Sequence, residues 1–150
     1  MHEALGRLLA KEAIIEVLNS LFVGTDDRDW ERVRACLAPS VAFDMTSLTG
    51  GAPAQLTPEE ITGAWREGLA PITAVHHQVG NYRVAVDGNQ ATAFCYGIAL
   101  HYRKTPSGRN TRMFVGSYDF QLVKGGDRWQ IKAFRFTVKF VEGNLELEKD

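Results

Sequence analysis

The chain has 150 residues, 45% of them hydrophobic and 23% charged, with a formal net charge of -1 at pH 7 and a pI near 6.4. That length suits a single domain, residues 1–150, whose core needs no covalent or metal staple. The balanced charge gives no electrostatic reason to bind nucleic acid or an anionic membrane, and both are excluded as partners.

The N-terminal run MHEALGRLLAKEAI mixes acids and bases among its apolar residues, so it reads as neither a signal peptide nor a membrane span. Leu5, Leu8, Leu9, Ile14, Ile15, Val17, Leu18, Leu21 and Phe22 recur at spacings of three and four. That period predicts one or two amphipathic helices through residue 22, with Gly24 as the stop. Three aspartates follow, Asp26, Asp27 and Asp29. Asp27 or Asp29 can cap a second helix over DWERVRACLA, expected to end at Pro39 and Ser40. Asp26 is then left over, and on residue pattern alone it reads equally as a helix-end acid or as a functional one.

VAFDM predicts a short strand, and TSLTGGAPAQLT, rich in turn formers, predicts a loop. Thr57 caps the third helix, PEEITGAWREGL, with Pro58 at its first position and Glu60 closing a capping box. From residue 75 the apolar period changes to two. The turn sequences DGN, PSGRN and KGGD separate four strand-like runs, which predicts an antiparallel meander. Helices first and strands last make an α+β domain rather than alternating βαβ units.

In ATAFCYGIALHYR, one face carries Ala91, Ala93, Cys95, Gly97, Ala99 and His101. A face that small must either admit bulky neighbours or leave a pocket. In MFVGSYDFQLV, Ser117 and Asp119 lie on the face opposite Phe114, Tyr118, Phe120 and Leu122, where two polar groups invite a functional reading. His76 and His77 are consecutive, so they point to opposite faces of their strand. Thr92, Phe94, Tyr96, Ile98 and Leu100, with Phe114, Tyr118 and Phe120 beside them, predict an apolar outer face covered by another copy of the chain. A homo-oligomer, dimer or trimer, is expected.

Cys36 and Cys95 lie in apolar surroundings without CxxC spacing, which fits buried thiols in a reducing cytoplasm. Two adjacent histidines on opposite faces and a distant third are a poor ligand set, so no metal is expected. The aromatic run Trp129, Phe134, Phe136 and Phe140 reads as core and interface, and no cofactor is called for.

The order of three helices and a curved sheet, together with GTDDRDWERVRACLAPSVAFD, AVHHQVGNYRV, ALHYRK, GSYDFQL and DRWQIKAF, resembles the SnoaL-like branch of the NTF2-like α+β cones. Within that branch the likeness is nearest to the scytalone dehydratases. The resemblance implies a pocket inside the cone, with Asp26 hydrogen-bonded to a histidine of the first long strand. The family's six-residue spacing to an arginine-like position, here Arg83, selects His77 over His76. It further implies His101 as a second catalytic histidine, and Ser117 and Asp119 as substrate-binding groups. Thr25 and Met45 occupy the positions of the family's two pocket tyrosines, so a different ligand is expected. Cys95, on the small face, joins the substrate-binding set. The implied activity is that of a cofactor-independent dehydratase, isomerase or cyclase acting on a small carbonyl-bearing, aromatic or polyketide-like molecule. A ligand-binding module, or a structural protein like the β subunit of a ring-hydroxylating oxygenase, is the alternative.

Overall fold

The computed structural model describes residues 1–150. Helix α1 spans His2–Asp26 without a break. Its apolar stripe is buried only from Ile14 onward, through Leu18, Leu21 and Phe22, while Leu5, Leu8 and Leu9 stay exposed. Gly24 does not stop the helix. A Cβ there would meet the Val33 side chain at 3.1 Å, so the missing side chain eases the close packing of helix α2, Trp30–Ala35. Asp29 is the residue that caps α2, accepting from the Arg32 amide at 3.2 Å.

Helix α2 ends before Cys36, and Pro39 and Ser40 lie inside strand β1, Leu37–Asp44. The strand tolerates the proline because its pairing with the last strand shifts register between Leu37 and Ala42, where no ladder hydrogen bond is required of it. The segment expected to be a loop holds a single-turn helix α3, Thr46–Thr49, and a short strand β2, Ala54–Leu56. Helix α4, Pro58–Leu69, begins with the expected capping box: Glu60 accepts the Thr57 amide at 3.1 Å and Thr57 accepts the Glu60 amide at 3.2 Å.

Strands β3 (Ala74–Asp87), β4 (Gln90–Tyr102), β5 (Thr111–Gly125) and β6 (Arg128–Gly143) form the antiparallel meander. β1 then adds parallel to β6, giving one sheet in the order β2-β1-β6-β5-β4-β3. The result is the α+β architecture expected, with the helices on one face of a curved six-stranded sheet. No helix is long and apolar enough to cross a membrane.

The small face of β4 does turn inward, but the register of β5 revises what lies beside it. Cys95 pairs with Tyr118, Ala93 with Phe120 and Ala99 with Phe114. Directly paired residues share a face, so Phe114, Tyr118 and Phe120 belong to the core and not to the outer face. Large rings on one strand fill the room left by small residues on the next. The tightest case is Gly97, where a Cβ would sit 2.2 Å from the Tyr118 ring. The core built this way gathers Ile14, Leu18 and Leu21 of α1 with Tyr118, Phe120, Phe134 and Phe136 of the sheet. Cys36 and Cys95 are free thiols buried within it.

Candidate active site

The site forms where the C-terminal end of α1 meets β3. Arg28, just past the helix, donates to the carbonyls of Leu69 and Ile72 and so ties the helix end to the segment between α4 and β3. That places Asp26 against His77. β3 is an edge strand, so its outward amides lack a ladder partner and are open to a side chain or to water. Asp26 does so at His77: Oδ2 accepts the backbone N–H at 2.8 Å, while Oδ1 lies 2.6 Å from Nδ1 of the same residue. A carboxylate only accepts, so Nδ1 carries the hydrogen, and in the neutral ring Nε2 keeps its lone pair. Phe22 packs on the ring, centroids 5.3 Å apart.

His101 is the second histidine on this face. His77 pairs with Ala99 and Val75 with His101, so the two histidines are diagonal neighbours across β3 and β4. Its environment is the reverse of His77's. Arg112, directly opposite on β5, donates its Nε–H to His101 Nδ1 at 3.0 Å. A guanidinium has no acceptor, so Nδ1 must present its lone pair and the hydrogen of the neutral ring sits on Nε2. Burial lowers the His101 pKa to about 4, helped by the Arg112 charge and by His77 in its protonated form, and opposed by Asp26 and Glu148. His101 is therefore neutral at pH 7. It is a hydrogen-bond donor, not a base.

Both histidines line a cavity of about 170 Å³ whose remaining walls are mostly apolar, among them Phe22, Leu48, Trp65 and Phe136. Thr25 and Met45 also line it. The Thr25 hydroxyl is already spent on the Leu21 carbonyl at 2.7 Å, so this residue offers the cavity wall and no free proton. A larger hollow, about 760 Å³, crosses the outer face of the sheet between Arg83 and Arg135, but it contains neither histidine.

Three residues expected in the site are elsewhere. Ser117 and Asp119 pair with Tyr96 and Phe94 on the outer face, where Asp119 meets Arg135 at 3.4 Å. Cys95 is completely buried and does not line the cavity, and burial pushes its thiol up to about 12. His76 points outward and is exposed, as the alternation requires. Arg83 points outward too, because the β3–β4 register shifts between Gly80 and Arg83, where Asn81 takes a positive φ of 58°.

The residue missed is Tyr118. Only 5% exposed, it lines the cavity, and its phenol has no hydrogen-bond partner in the protein although no buried side-chain polar atom is orphaned. The hydroxyl therefore opens on the cavity. Burial raises its pKa, so it stays protonated and can donate. Its signal is the pairing of β5 with β4, which sets the Tyr118 ring opposite Cys95 and against Gly97.

Residues 6–135 match the model of the SnoaL-like domain, and the chain belongs to that family. No curated protein matches the sequence at a significant level. Among solved structures, the Kfla4162 protein from Kribbella flavida is similar at 23% identity, with 93% of this chain and 97% of that one covered and a TM-score of 0.87. The hexachlorocyclohexane dehydrochlorinase LinA-type3 from Novosphingobium barchaimii LL02 is 14% identical over 95% and 94% of the two chains, with a TM-score of 0.79. A scytalone dehydratase candidate from Novosphingobium aromaticivorans DSM 12444 is 16% identical over 92% and 89%, with a TM-score of 0.77. At these identities the likeness shows the fold.

Proposed function

We propose that this member of the SnoaL-like family is a cofactor-independent lyase that removes a proton from carbon and expels a β-leaving group from a small, uncharged, carbonyl-bearing substrate. The observation that carries the reading is the opposite polarity of two histidines on one apolar cavity: His77 held with a free Nε2 lone pair by Asp26, His101 held with a free Nε2–H by Arg112. One can take a proton while the other stabilises the charge that results. Dehydrochlorinase and dehydratase, the activities named for two proteins of the same fold, are both eliminations of this form.

In the reaction, His77 Nε2 takes the proton from the carbon next to the carbonyl, and the C–H pair moves to the carbonyl oxygen as an enolate. His101 Nε2–H and the Tyr118 hydroxyl donate to that oxygen. The enolate then collapses, forming the C=C bond and breaking the β C–O bond. The His77 imidazolium returns its proton to the departing oxygen, which leaves as water. Asp26 balances the imidazolium charge and holds the ring's tautomer throughout. The aromatic walls favour a flat ring. The volume, below the ~300–1,000 Å³ of drug-sized sites, favours a compact one.

We also propose a cytoplasmic homo-oligomer, since Cys36 and Cys95 are free thiols and the outer face of β4 exposes Tyr96, Ile98, Leu100 and Tyr102.

The test is a panel of β-hydroxy ketones and enolisable aromatic ketones, following water loss and solvent deuterium uptake. Asp26→Asn and His77→Ala should each lower turnover about 100-fold or more, with the double variant little worse than either, because the two act as a unit. Losses that multiply would refute the unit. Tyr118→Phe should keep the fold and lower kcat about tenfold or more, as loss of one oxyanion donor does. If wild type binds panel members without exchanging deuterium, the site is a binding module.

A further inference from the structure

The C-terminal segment after β6 has no regular secondary structure beyond turns, yet it is held at many points. Leu147 is fully buried against Ile72 and Val75. Arg103 donates to the carbonyls of Leu147 and Asp150, each at 2.8 Å. The Asn144 side chain donates to the Arg109 carbonyl and to the Asp150 carboxylate, each at 2.9 Å. Between these anchors, Glu148 reaches back over the sheet to form an ion pair with Arg112.

Arg112 is immobilised on three sides. Glu148 takes one end of the guanidinium, the Phe114 ring lies beneath it at 5.6 Å, and its Nε–H is committed to His101 Nδ1. Its side chain is only 11% exposed, so water competes little for those bonds. A free histidine exchanges between its two neutral tautomers, and only one of them presents N–H to the cavity.

We propose that Arg112 is a positioning residue that locks His101 in the Nε2–H tautomer, and that the C-terminal segment belongs to the active site because Glu148 seats Arg112. The pair does for the donor histidine what Asp26 does for the base histidine, with the opposite sign. A charge that only donates selects one tautomer, and a charge that only accepts selects the other. The inference rests on the lyase reading for what His101 donates to, but the tautomer exists in the free protein without substrate. The two can therefore fail separately.

The experiment is long-range ¹H–¹⁵N correlation on the ¹⁵N-histidine-labelled full chain at pH 7, for wild type, Arg112→Met and Glu148→Gln, with circular dichroism as the fold control. In wild type, His101 should show a protonated Nε2 and an unprotonated Nδ1. In Arg112→Met both ring nitrogens should move toward tautomer-averaged shifts, and Glu148→Gln should move them the same way by less. With a β-hydroxy ketone of the panel that wild type dehydrates, Arg112→Met should lower kcat about tenfold or more while KM changes little. A wild-type His101 protonated at Nδ1, or a ring spectrum unchanged in Arg112→Met, overturns the proposal. Should Arg112→Met not fold, an unchanged spectrum in Glu148→Gln overturns the role of the C-terminal segment. An intact tautomer lock in a wild type that turns nothing over would sink the lyase reading and leave the lock standing.

Discussion

Keeping His101 neutral has a consequence for stability. Its pKa falls from an ordinary 6.5 to about 4 on folding, through burial first and then the Arg112 charge and His77 in its protonated form. A base whose folded value is depressed binds its proton more readily when unfolded, so stability is lost as pH falls from the unfolded value to the folded one. Each tenfold change in proton affinity is worth about 1.36 kcal/mol, so the whole window costs about 3 kcal/mol. Roughly 2.5 kcal/mol of that falls between pH 7.5 and pH 4.5. Such a loss is a substantial share of the ~5–15 kcal/mol that stabilises a domain. Carboxylates with lowered values, Asp44, Glu148 and Asp150, contribute their losses at lower pH and are common to any variant made at His101. Urea unfolding of wild type and His101→Gln at the two pH values isolates the histidine. Wild type should lose about 2.5 kcal/mol more than the variant between pH 7.5 and 4.5. Equal losses in the two proteins would refute the account of His101 as a buried neutral donor.

Gly97→Ala should destabilise the fold by about 1–3 kcal/mol, read by urea unfolding, because the added Cβ would lie 2.2 Å from a Tyr118 ring already wedged between Phe22 and Phe136, centroids 4.8 Å from each. A stabilised variant would show that the ring moves freely. On the outer face, Ile98, Val115 and Phe140 pair in a row across β4, β5 and β6, beside exposed Tyr96 and Leu100. Sedimentation should find a homo-oligomer that Ile98→Lys with Leu100→Lys dissociates, and a stable 16.7 kDa monomer of the wild type at micromolar concentration would contradict it.

Signals confined to a few neighbouring residues were legible without the structure. Thr57, Pro58 and Glu60 mark the start of α4 because a capping box is made of contacts within one turn. The four alternating runs and their glycine turns specify the meander for the same reason. Alternation also separates His76 from His77, and the resemblance pairs Asp26 with His77, whose side chains do meet. Two local signals misled. Gly24 looked like a helix stop and is a packing notch, and Pro39 looked like a terminator and sits in a strand.

A period of two divides a strand into two faces but does not say which one turns inward when both carry apolar residues. β5 has Met113 and Val115 on one face and Phe114, Tyr118 and Phe120 on the other, so only its pairing with the small residues of β4 decided that Tyr118 enters the cavity and that Ser117 and Asp119 leave it. The tautomer of His101 lies further still from local sequence. It depends on Arg112 from the next strand and on Glu148, 36 residues beyond that. Local hydrogen bonds and hydrophobic period are properties of neighbouring residues, and they were readable. The polarity of the site is a property of register and of contacts distant in the chain, which exist only once the sheet has closed.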